Sequence, residues 1–359
     1  FHTCEIGIAS NLKRVMNARR GIRPIDPERA LAWVQDHIHF TLADKQTEAV
    51  TASLLEKILI ITGGPGTGKT TIINAIIKIV KQTGAKILLA APTGRAAKRM
   101  SEATWEKAST LHRLLDYSVQ EGGFKKNDQS PLKADLIIID EASMIDTLLM
   151  HHFLKAVPST CAVIMVGDIN QLPSVGPGNI LKDLIRSRRF RVVTLDTIFR
   201  QAQKSLIVVN AHKINQGQFP IILNEKKKSN FYFIQKEDPE DVLQTVKELI
   251  SVRIPGRFKF DPLKEIQVLT PMHRGVVGAA NLNRELQQVL NPSTVSITAG
   301  NREFRLNDKV MQIRNNYDKH TYNGDIGQIA QISRSDRTVE IDFYDRLVTY
   351  EFSSLDELV

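Results

Sequence analysis

The chain has 359 residues, of which 42% are hydrophobic and 24% are charged, and its formal net charge is +9 at pH 7. That length and composition belong to a globular protein with two or more domains, and they exclude a disordered or fibrous chain. No apolar run approaches the roughly eighteen residues that cross a bilayer, so the sequence predicts neither a membrane-spanning segment nor a membrane partner.

The net charge and the number of cysteines limit which partners and which cellular compartment fit this chain. The positive charge favours a polyanionic partner such as nucleic acid, because lysine and arginine release counterions when they neutralise phosphates. Charge alone does not identify that partner, since many basic proteins bind no polyanion. Cys4 and Cys161 are the two cysteines, and their separation matches no disulfide or zinc pattern. The sequence therefore predicts a reducing, cytoplasmic setting.

The N-terminal segment, residues 1–40, is predicted to form short helices. Asp26 and Pro27 give a good helix start, because an N-terminal acidic side chain and a proline in the first turn suit a helix. The chain opens on Phe1 and stops at Val359 without a tail, so we expect it to be part of a longer protein.

A phosphate-binding loop follows the apolar run 58–62 and precedes an amphipathic helical pattern. Gly63, Gly68, Lys69 and Thr70 complete the pattern G-x-x-x-x-G-K-[ST]. Successive N–H groups of such a loop point at phosphates, aided by the positive end of the helix dipole. Lys69 is predicted to contact the β- and γ-phosphates, and Thr70 to bind Mg²⁺. The predicted nucleoside triphosphate site comprises Gly63, Gly64, Pro65, Gly66, Thr67, Gly68, Lys69, Thr70 and Thr71.

Apolar runs alternate with helical patterns from residue 58 to about residue 200. The predicted strands are 58–62, 86–91, 135–140, 162–166 and 192–195. Continuous apolar runs are typical of strands buried on both faces, so we predict a parallel sheet in an α/β fold. Ligands of such folds bind at the carboxyl ends of the strands.

An acidic pair, Asp140 and Glu141, ends the predicted strand 135–140. Asp140 is suited to bind Mg²⁺ through water, because a carboxylate at this position stays charged beside the metal. Glu141 is suited to polarise the attacking water as a general base. The two acids are thus predicted to lie close together but to act differently.

Two further residues are predicted to approach the γ-phosphate. Gln171 follows the strand 162–166, and its amide can contact the γ-phosphate or the attacking water without carrying charge. Arg200 follows the strand 192–195 and is predicted to be an arginine finger in cis. An interdomain salt bridge is the alternative role for Arg200.

Taken together and in this order, the motifs resemble those of superfamily 1 DNA helicases, and in particular the RecD-like branch, the exodeoxyribonuclease V alpha-subunit family. The resemblance extends from about residue 40 to the end of the chain. It implies an ATP-hydrolysing helicase that moves 5′ to 3′ on single-stranded DNA, acts at duplex junctions in recombination and repair, and has nuclease or helicase partner subunits.

The resemblance also implies a domain order. A first RecA-like P-loop domain would span 41–200, with a short inserted hairpin near 116–132. An incomplete second RecA-like domain would span 201–325, and an SH3-like β-barrel insertion 326–359. Within that insertion, short strands are predicted near 325–333, 337–343 and 347–352.

The resemblance also assigns roles in nucleotide and DNA binding to individual residues. Gln46 matches the glutamine that reads adenine in that family, which makes ATP the expected nucleotide; an amide can bond the adenine edge at two points. Mg²⁺ is the expected metal because of Thr70 and Asp140. A strand at 265–270 would lead into further DNA-contacting residues. The residues that the resemblance assigns to DNA are Pro92, Thr93, Arg95, Thr110, His112, Arg113, His273, Arg274, Asn281, Asn283, Arg314, Asn315 and Asn316. For the segment 109–115, ordinary helix packing remains an alternative.

One further expectation and two alternatives accompany the helicase interpretation. The family's later DNA motif and second arginine finger would follow Val359, so we expect this chain to bind ATP but to hydrolyse it slowly. An RNA helicase of the same superfamily would share the ATP chemistry. A regulatory subunit of a nuclease complex, closed on DNA by ATP, is the alternative outside enzymes. The sequence shows no nuclease constellation of its own.

Overall fold

Two structural units make up the part of the chain that the computed structural model describes. Those residues are 1–38, 41–118, 123–197, 204–223, 229–314, 316, 318–319, 321–343 and 346–359. The first unit is Phe1–Tyr232 and the second is Phe233–Val359. Across the described residues, every helix is too short or too polar to cross a membrane.

The first unit is built on a parallel sheet of six strands. Its strands are β1 (Ile58–Gly63), β2 (Ile87–Ala91), β3 (Ala108–Thr110), β6 (Leu136–Ile139), β7 (Ala162–Gly167) and β8 (Arg191–Leu195), and a separate hairpin contains β4 (Tyr117–Ser118) and β5 (Gly123–Phe124). The spatial order is β3-β2-β6-β7-β1-β8. All neighbours in this order are parallel. The five predicted strands and the α/β fold are therefore confirmed.

Helices cover both faces of this sheet. They are α1 (His2–Asn17), α2 (Pro27–Ile38), α3 (Asp44–Leu55), α4 (Lys69–Lys81), α5 (Gly94–Thr104), α6 (Leu111–Leu114), α7 (Thr147–Ala156) and α8 (Ile180–Arg186). The first unit also contains α9 (Leu206–Asn215). Strand β1 contributes to a separate hydrophobic core on each face of the sheet, because alternate side chains point to opposite faces. Leu59 and Ile61 enter the core beneath α2, α3 and α4, whereas Ile58 and Ile60 enter the core beneath α1, α7 and α8. The predicted helix start at Pro27 is confirmed.

The second unit contains helices and antiparallel strands. The helices are α10 (Pro239–Glu248), α11 (Ile254–Phe258) and α12 (Ala279–Leu290), and the strands are β9 (Ser296–Ala299), β10 (Arg302–Arg305), β11 (Lys309–Met311), β12 (Ile326–Ser333), β13 (Thr338–Asp342) and β14 (Leu347–Glu351). A four-stranded sheet has the order β11-β12-β13-β14, and β9 pairs with β10. The three short strands predicted in this region are confirmed. The second RecA-like domain stays a prediction.

The predicted strand at 265–270 is wrong. The structure describes all six residues and forms no strand there. Ile266 and Val268 are half-buried, which accounts for the alternating pattern, but Leu269 is exposed. The carbonyl of Ile266 accepts a hydrogen bond from Lys309 Nζ at 3.2 Å. The periodicity therefore reports one packed face, while no strand among the described residues pairs with this backbone.

The side chain of Tyr350, with its hydroxyl, is buried in the core of the second unit. This oxygen lies 2.8 Å from Gln312 Oε1 and 3.1 Å from Thr321 Oγ1, and all three residues are buried. The ammonium of Lys319 lies 3.9 Å from the centre of the ring. Burial raises the pKa of Tyr350 to about 12, so the phenol stays protonated and can donate.

We expect Tyr350→Phe to destabilise the second unit by about 1–3 kcal/mol, because Gln312 and Thr321 would each lose a buried partner. Hydrogen exchange of β13 and β14, followed by mass spectrometry, should become faster by a corresponding factor. Tyr232→Phe is the matched control, since Tyr232 is 43% exposed and its hydroxyl bonds the carbonyl of Ser229. Equal exchange of β13 and β14 in the Tyr350 variant and the wild type would contradict this role.

Candidate nucleotide site and adjoining nucleic-acid residues

The phosphate-binding loop connects β1 to α4 at the carboxyl edge of the sheet. Gly66 and Gly68 adopt φ values of +74° and +81°, which glycine reaches without the steric cost of a Cβ. Gly63 lies against β8, and a Cβ there would come within 2.9 Å of the carbonyl oxygen of Leu195. The glycines that define the sequence pattern are therefore also required by the backbone.

Side-chain donors hold the carbonyl groups of this loop. Lys69 is the first residue of α4, and its Nζ donates to the carbonyls of Gly63 at 2.7 Å and Gly64 at 3.1 Å. Thr67 Oγ1 donates to the carbonyl of Gly64 at 2.9 Å. Thr70 is exposed on the first turn of α4. Pro65 is exposed and Thr71 is half-buried. The ammonium and the hydroxyl predicted to contact nucleotide and metal thus lie at the mouth of one loop.

The predicted acidic pair follows β6, two strands from β1. Asp140 Oδ1 accepts a hydrogen bond from the N–H of Glu141 at 2.9 Å. Glu141 adopts φ = +52°, an unusual value for a residue with a side chain. Its Oε2 is buried and makes no hydrogen bond within the described residues. A strained backbone that holds an unpaired carboxylate oxygen is a feature of functional sites.

Burial raises the pKa of both carboxyl groups. The charges of Lys69 and Arg99 act in the opposite direction on each. Asp140 raises the pKa of Glu141 further, and so does Asp168 to a smaller extent. The ordinary pKa of a glutamate is 4.5. A value raised above it brings Glu141 closer to the operating pH, which is what a general base requires.

Asp168 follows β7 and organises the loop that contains Gln171. Asp168 is 2% exposed, and its Oδ1 accepts from the N–H of Asn170 at 3.0 Å. Gln171 Nε2 donates to Asp168 Oδ2 at 3.3 Å. Gln171 itself is exposed. The predicted amide therefore lies at the same sheet edge as Glu141, and the carboxylate of Asp168, a residue not among those predicted from the sequence, holds it there.

Gln46 lies next to the phosphate-binding loop. It is 2% exposed, its Oε1 accepts from the N–H of Ala43 at 3.1 Å, and its Nε2 lies 3.4 Å from the carbonyl of Thr67. Both ends of its amide therefore have protein partners. Adenine recognition by Gln46 stays a prediction. Arg200 lies outside the described residues.

Two predicted DNA-contacting segments lie side by side at this edge. Strands β2 and β3 are parallel, and Ala91 is in register with Thr110. Thr93 Oγ1 accepts from the N–H of Ala96, and Thr110 Oγ1 accepts from the N–H of Arg113, each at 3.2 Å. Each threonine thus begins a helix. Thr93 is half-buried and Thr110 is buried, so a phosphate would reach Thr93 more easily.

The other predicted residues of this surface surround those helix starts. Arg95 and Arg113 are exposed, whereas Pro92 and His112 are half-buried. Burial lowers the pKa of His112, and the charge of Asp146 opposes this shift. The imidazole is therefore held towards its neutral form. We expect His112 to contribute ring packing at this surface, and the two arginines to contribute charge.

The insertion predicted near 116–132 contains the antiparallel hairpin β4–β5. The ring of Phe124 lies 5.0 Å from that of Tyr117, 4.8 Å from that of His152 and 5.9 Å from that of His112, measured between centroids. These contacts fix the base of the hairpin to α6 and α7. Residues 119–122, which fall within this predicted insertion, lie outside the described residues.

In the second unit, one group of predicted residues surrounds the start of α12. His273, Arg274 and Asn283 are exposed. Asn281 is half-buried, and its Nδ2 donates to the carbonyl of Val276 at 2.7 Å. Asn281 therefore stabilises the turn before the helix, and the other three offer polar groups to solvent.

A second group is paired within its own unit. Arg314 Nη1 donates to Asp356 Oδ2 at 2.9 Å, and both side chains are largely exposed. Asn316 Nδ2 donates to both carboxylate oxygens of Glu357, at 3.1 and 3.0 Å. Any DNA phosphate at this position would compete with these carboxylates. Asn315 lies outside the described residues.

Arg99 is a residue that the sequence motifs did not single out as part of the site. It is exposed on α5, and its charge lowers the pKa of Asp140 and of Glu141. The helical period could have indicated it, because Arg99 lies one turn after Arg95 on the helix that Thr93 caps. A cation from the predicted DNA-contacting helix therefore acts on the acidic pair.

Two family models match separate parts of the chain. A model described as an AAA domain matches residues 46–177. A model described as the ATP-dependent RecD-like DNA helicase SH3 domain matches residues 282–343. The first contains the phosphate-binding loop and the acidic pair, and the second contains the antiparallel strands β9 to β13.

Curated relatives match most of the chain. The ATP-dependent RecD2 DNA helicase of Deinococcus radiodurans is 35% identical over 302 residues, which cover 84% of this chain and 40% of that protein. The RecBCD enzyme subunit RecD of Mycolicibacterium smegmatis is 28% identical over 319 residues, which cover 80% of this chain and 57% of that protein. The chain thus spans about half the length of these relatives.

Among solved structures, a chain from a study of DNA unwinding at forked duplex DNA by two coordinating Pif1 helicases is 18% identical. The match covers 89% of this chain and 79% of that one, with a TM-score of 0.45.

Proposed function

We propose that this chain, because it belongs to the RecD-like family of DNA helicases, is the nucleotide-hydrolysing part of a motor that moves along single-stranded DNA. We propose that ATP is the nucleotide hydrolysed, and the resemblance to RecD-like helicases implies movement from 5′ to 3′. Relatives named as RecBCD subunits make partner subunits a further proposal, with roles in recombination and repair.

One observation supports this proposal above the others. The phosphate-binding loop, the acidic pair and the predicted DNA-contacting threonines all follow strands of one parallel sheet and lie at one edge of it. The strand order places β6, which precedes Glu141, directly beside β2, which precedes Thr93. Arg99 couples the acidic pair after β6 to helix α5 after β2. It lies on α5, which Thr93 caps, and its charge lowers the pKa of Glu141. A change at the nucleotide can therefore reach the DNA-contacting helix through adjacent elements.

The chemistry that we propose for the site is in-line hydrolysis of the terminal phosphate. Glu141 would take a proton from the attacking water, and its unpaired Oε2 is a suitable acceptor. Lys69 would neutralise charge on the β- and γ-phosphates, and Gln171 would orient the water or the γ-phosphate.

The residues available for a metal fit Mg²⁺. Thr70 and Asp140 offer a hydroxyl and a carboxylate, and oxygen is the ligand that Mg²⁺ prefers. Burial raises the pKa of Asp140, because it destabilises the charged carboxylate. A cation bound beside this carboxylate would offset that cost. Bound there, Mg²⁺ would supply positive charge to the triphosphate. Thr70 and Asp140 would hold it, while Glu141 remains available for proton transfer.

Nucleotide-dependent affinity for DNA is the motor property that we propose. ATP would draw the nucleotide-binding and DNA-contacting elements together, and hydrolysis would release them. The β4–β5 hairpin, which Phe124 anchors through ring contacts, would help to separate strands at a junction. A fluorescent single-stranded oligonucleotide should bind with different affinity in the absence of nucleotide and with a non-hydrolysable ATP analogue. Equal affinity in both conditions would contradict the motor proposal.

The decisive test is ATP turnover with Mg²⁺, measured with no nucleic acid, with a single-stranded DNA oligonucleotide and with RNA of the same sequence. We expect DNA to stimulate turnover, and the Lys69→Ala variant to reveal any contaminating activity. Stimulation by RNA alone would favour the RNA helicase instead. The same assay tests the prediction that these 359 residues hydrolyse ATP slowly.

A further inference from the structure

Helix α9 contacts the phosphate-binding loop through His212. The Nε2 atom of His212 lies 3.2 Å from the carbonyl oxygen of Pro65. The ring also lies against Gly64, where a Cβ would come within 2.6 Å of His212 Cε1. Because a carbonyl oxygen can only accept, Nε2 must carry the hydrogen of this bond. A histidine 147 residues along the chain therefore donates to the loop.

Donation to Pro65 completes a set of bonds on the loop carbonyls. Lys69 and Thr67 already donate to the carbonyls of Gly63 and Gly64. In a loop that surrounds an anion, N–H groups turn inward and carbonyl groups must be accommodated elsewhere. Pro65 has no N–H, so its carbonyl is its backbone polar group. Thr67 belongs to the loop itself, and Lys69 to α4, the helix that continues it. His212, in contrast, binds the carbonyl of Pro65 from a separate helix.

The position of His212 is fixed by the segment that follows α9. Asn210 is fully buried, and its side chain exchanges two hydrogen bonds with the backbone of Ile221, at 2.9 and 2.7 Å. Gly217 adopts φ = +73° after the helix, and the N–H of Gln218 donates to the carbonyl of Lys213 at 2.8 Å. These bonds hold the end of α9, where His212 lies. The histidine is thus presented to the loop by a helix end that other hydrogen bonds hold in place.

We infer that His212 is a positioning residue of the nucleotide site, which holds Gly64 and Pro65 in the arrangement that receives the triphosphate. This inference rests on the proposed function, because it assumes that the loop binds nucleotide. His212 acts through the backbone of Pro65 and needs no contact with the substrate. Loss of its N–H donor weakens nucleotide binding, and loss of its ring removes the contact that packs against Gly64.

Three variants separate these contributions. His212→Phe keeps a ring against Gly64 but has no N–H donor. His212→Gln keeps an N–H donor at about the reach of Nε2. Ile214→Ala, at a 56% exposed position on the same helix, is the matched control. The probe is ADP with Mg²⁺, and its dissociation constant is measured by isothermal titration calorimetry, with thermal unfolding recorded in the absence of nucleotide.

We expect His212→Phe to weaken binding by about fivefold, the factor that corresponds to loss of one neutral hydrogen bond. His212→Gln should remain within about twofold of the wild type, as should Ile214→Ala. Equal affinity in wild type and His212→Phe would overturn the inference, even if His212→Phe unfolded at a lower temperature. A His212→Gln variant as weak as His212→Phe would also overturn it. Failure of the wild-type chain to bind ADP would instead overturn the proposed function.

Discussion

A Glu141→Gln variant should hydrolyse ATP about a hundredfold to ten-thousandfold more slowly than the wild-type chain, because glutamine cannot take a proton from water. Nucleotide binding should persist, since the amide occupies the same space and the loop at Lys69 is unchanged. Turnover is measured with excess ATP, Mg²⁺ and single-stranded DNA, and binding by titration with ADP. Wild-type turnover in the variant would exclude Glu141 as the general base.

The same substitution should stabilise the folded chain at neutral pH. Burial and Asp140 raise the pKa of Glu141, so the folded state holds its proton more tightly than the unfolded state does. Stability therefore falls as the pH rises from the ordinary value of 4.5 through the raised value. Glutamine does not ionise and avoids this loss. Unfolding temperatures should differ at pH 7 and converge near pH 4.

Glu102→Gln provides the control for both effects. Glu102 is exposed on α5, and within the described residues its carboxylate forms neither a hydrogen bond nor an ion pair. We expect it to change neither turnover nor the unfolding temperature by a measurable amount. A variant at Glu141 that lost activity and also lost stability at pH 7 would point to a structural role for this residue instead of proton transfer.

The sequence predicted the sheet and the phosphate-binding loop because both depend on local patterns. Residues 136–139 are four consecutive apolar side chains, and in the structure all four are buried in a strand with neighbours on both sides. The glycine spacing around Lys69 likewise reflects backbone requirements at Gly63, Gly66 and Gly68. In these cases, the residue types alone restrict the conformations that the chain can adopt.

Features that depend on distant partners could not be predicted in the same way. The alternation at Ile266 and Val268 indicated a strand, but a strand also needs a neighbouring backbone, which periodicity does not report. His212 was not assigned to the nucleotide site, because its contact with Pro65 joins segments far apart in the sequence. The pairing of Asn316 with Glu357 is another contact of this kind.

A Lys69→Ala variant should bind ADP with Mg²⁺ about a hundredfold more weakly than the wild-type chain. Hydrogen bonds to a charged group contribute about 1.5–3 kcal/mol each, and every 1.4 kcal/mol is a factor of ten in affinity. Lys69 holds its ammonium between the carbonyls of Gly63 and Gly64, at the mouth of the loop, where phosphates would replace those carbonyls as partners. Lys78→Ala, an exposed position on the same helix, should bind ADP like the wild type.

Removal of Lys69 should also change how stability depends on pH. The charge of Lys69 lowers the pKa of Asp140 and of Glu141, so without it burial raises both values further. A larger gap between folded and unfolded pKa values means a larger loss of stability as the pH rises through that gap. Lys69→Ala should therefore unfold at a lower temperature than Lys78→Ala at pH 7, and the difference should shrink towards pH 4. A difference that is independent of pH would mean that Lys69 supports the loop by its hydrogen bonds alone, without acting on the acidic pair.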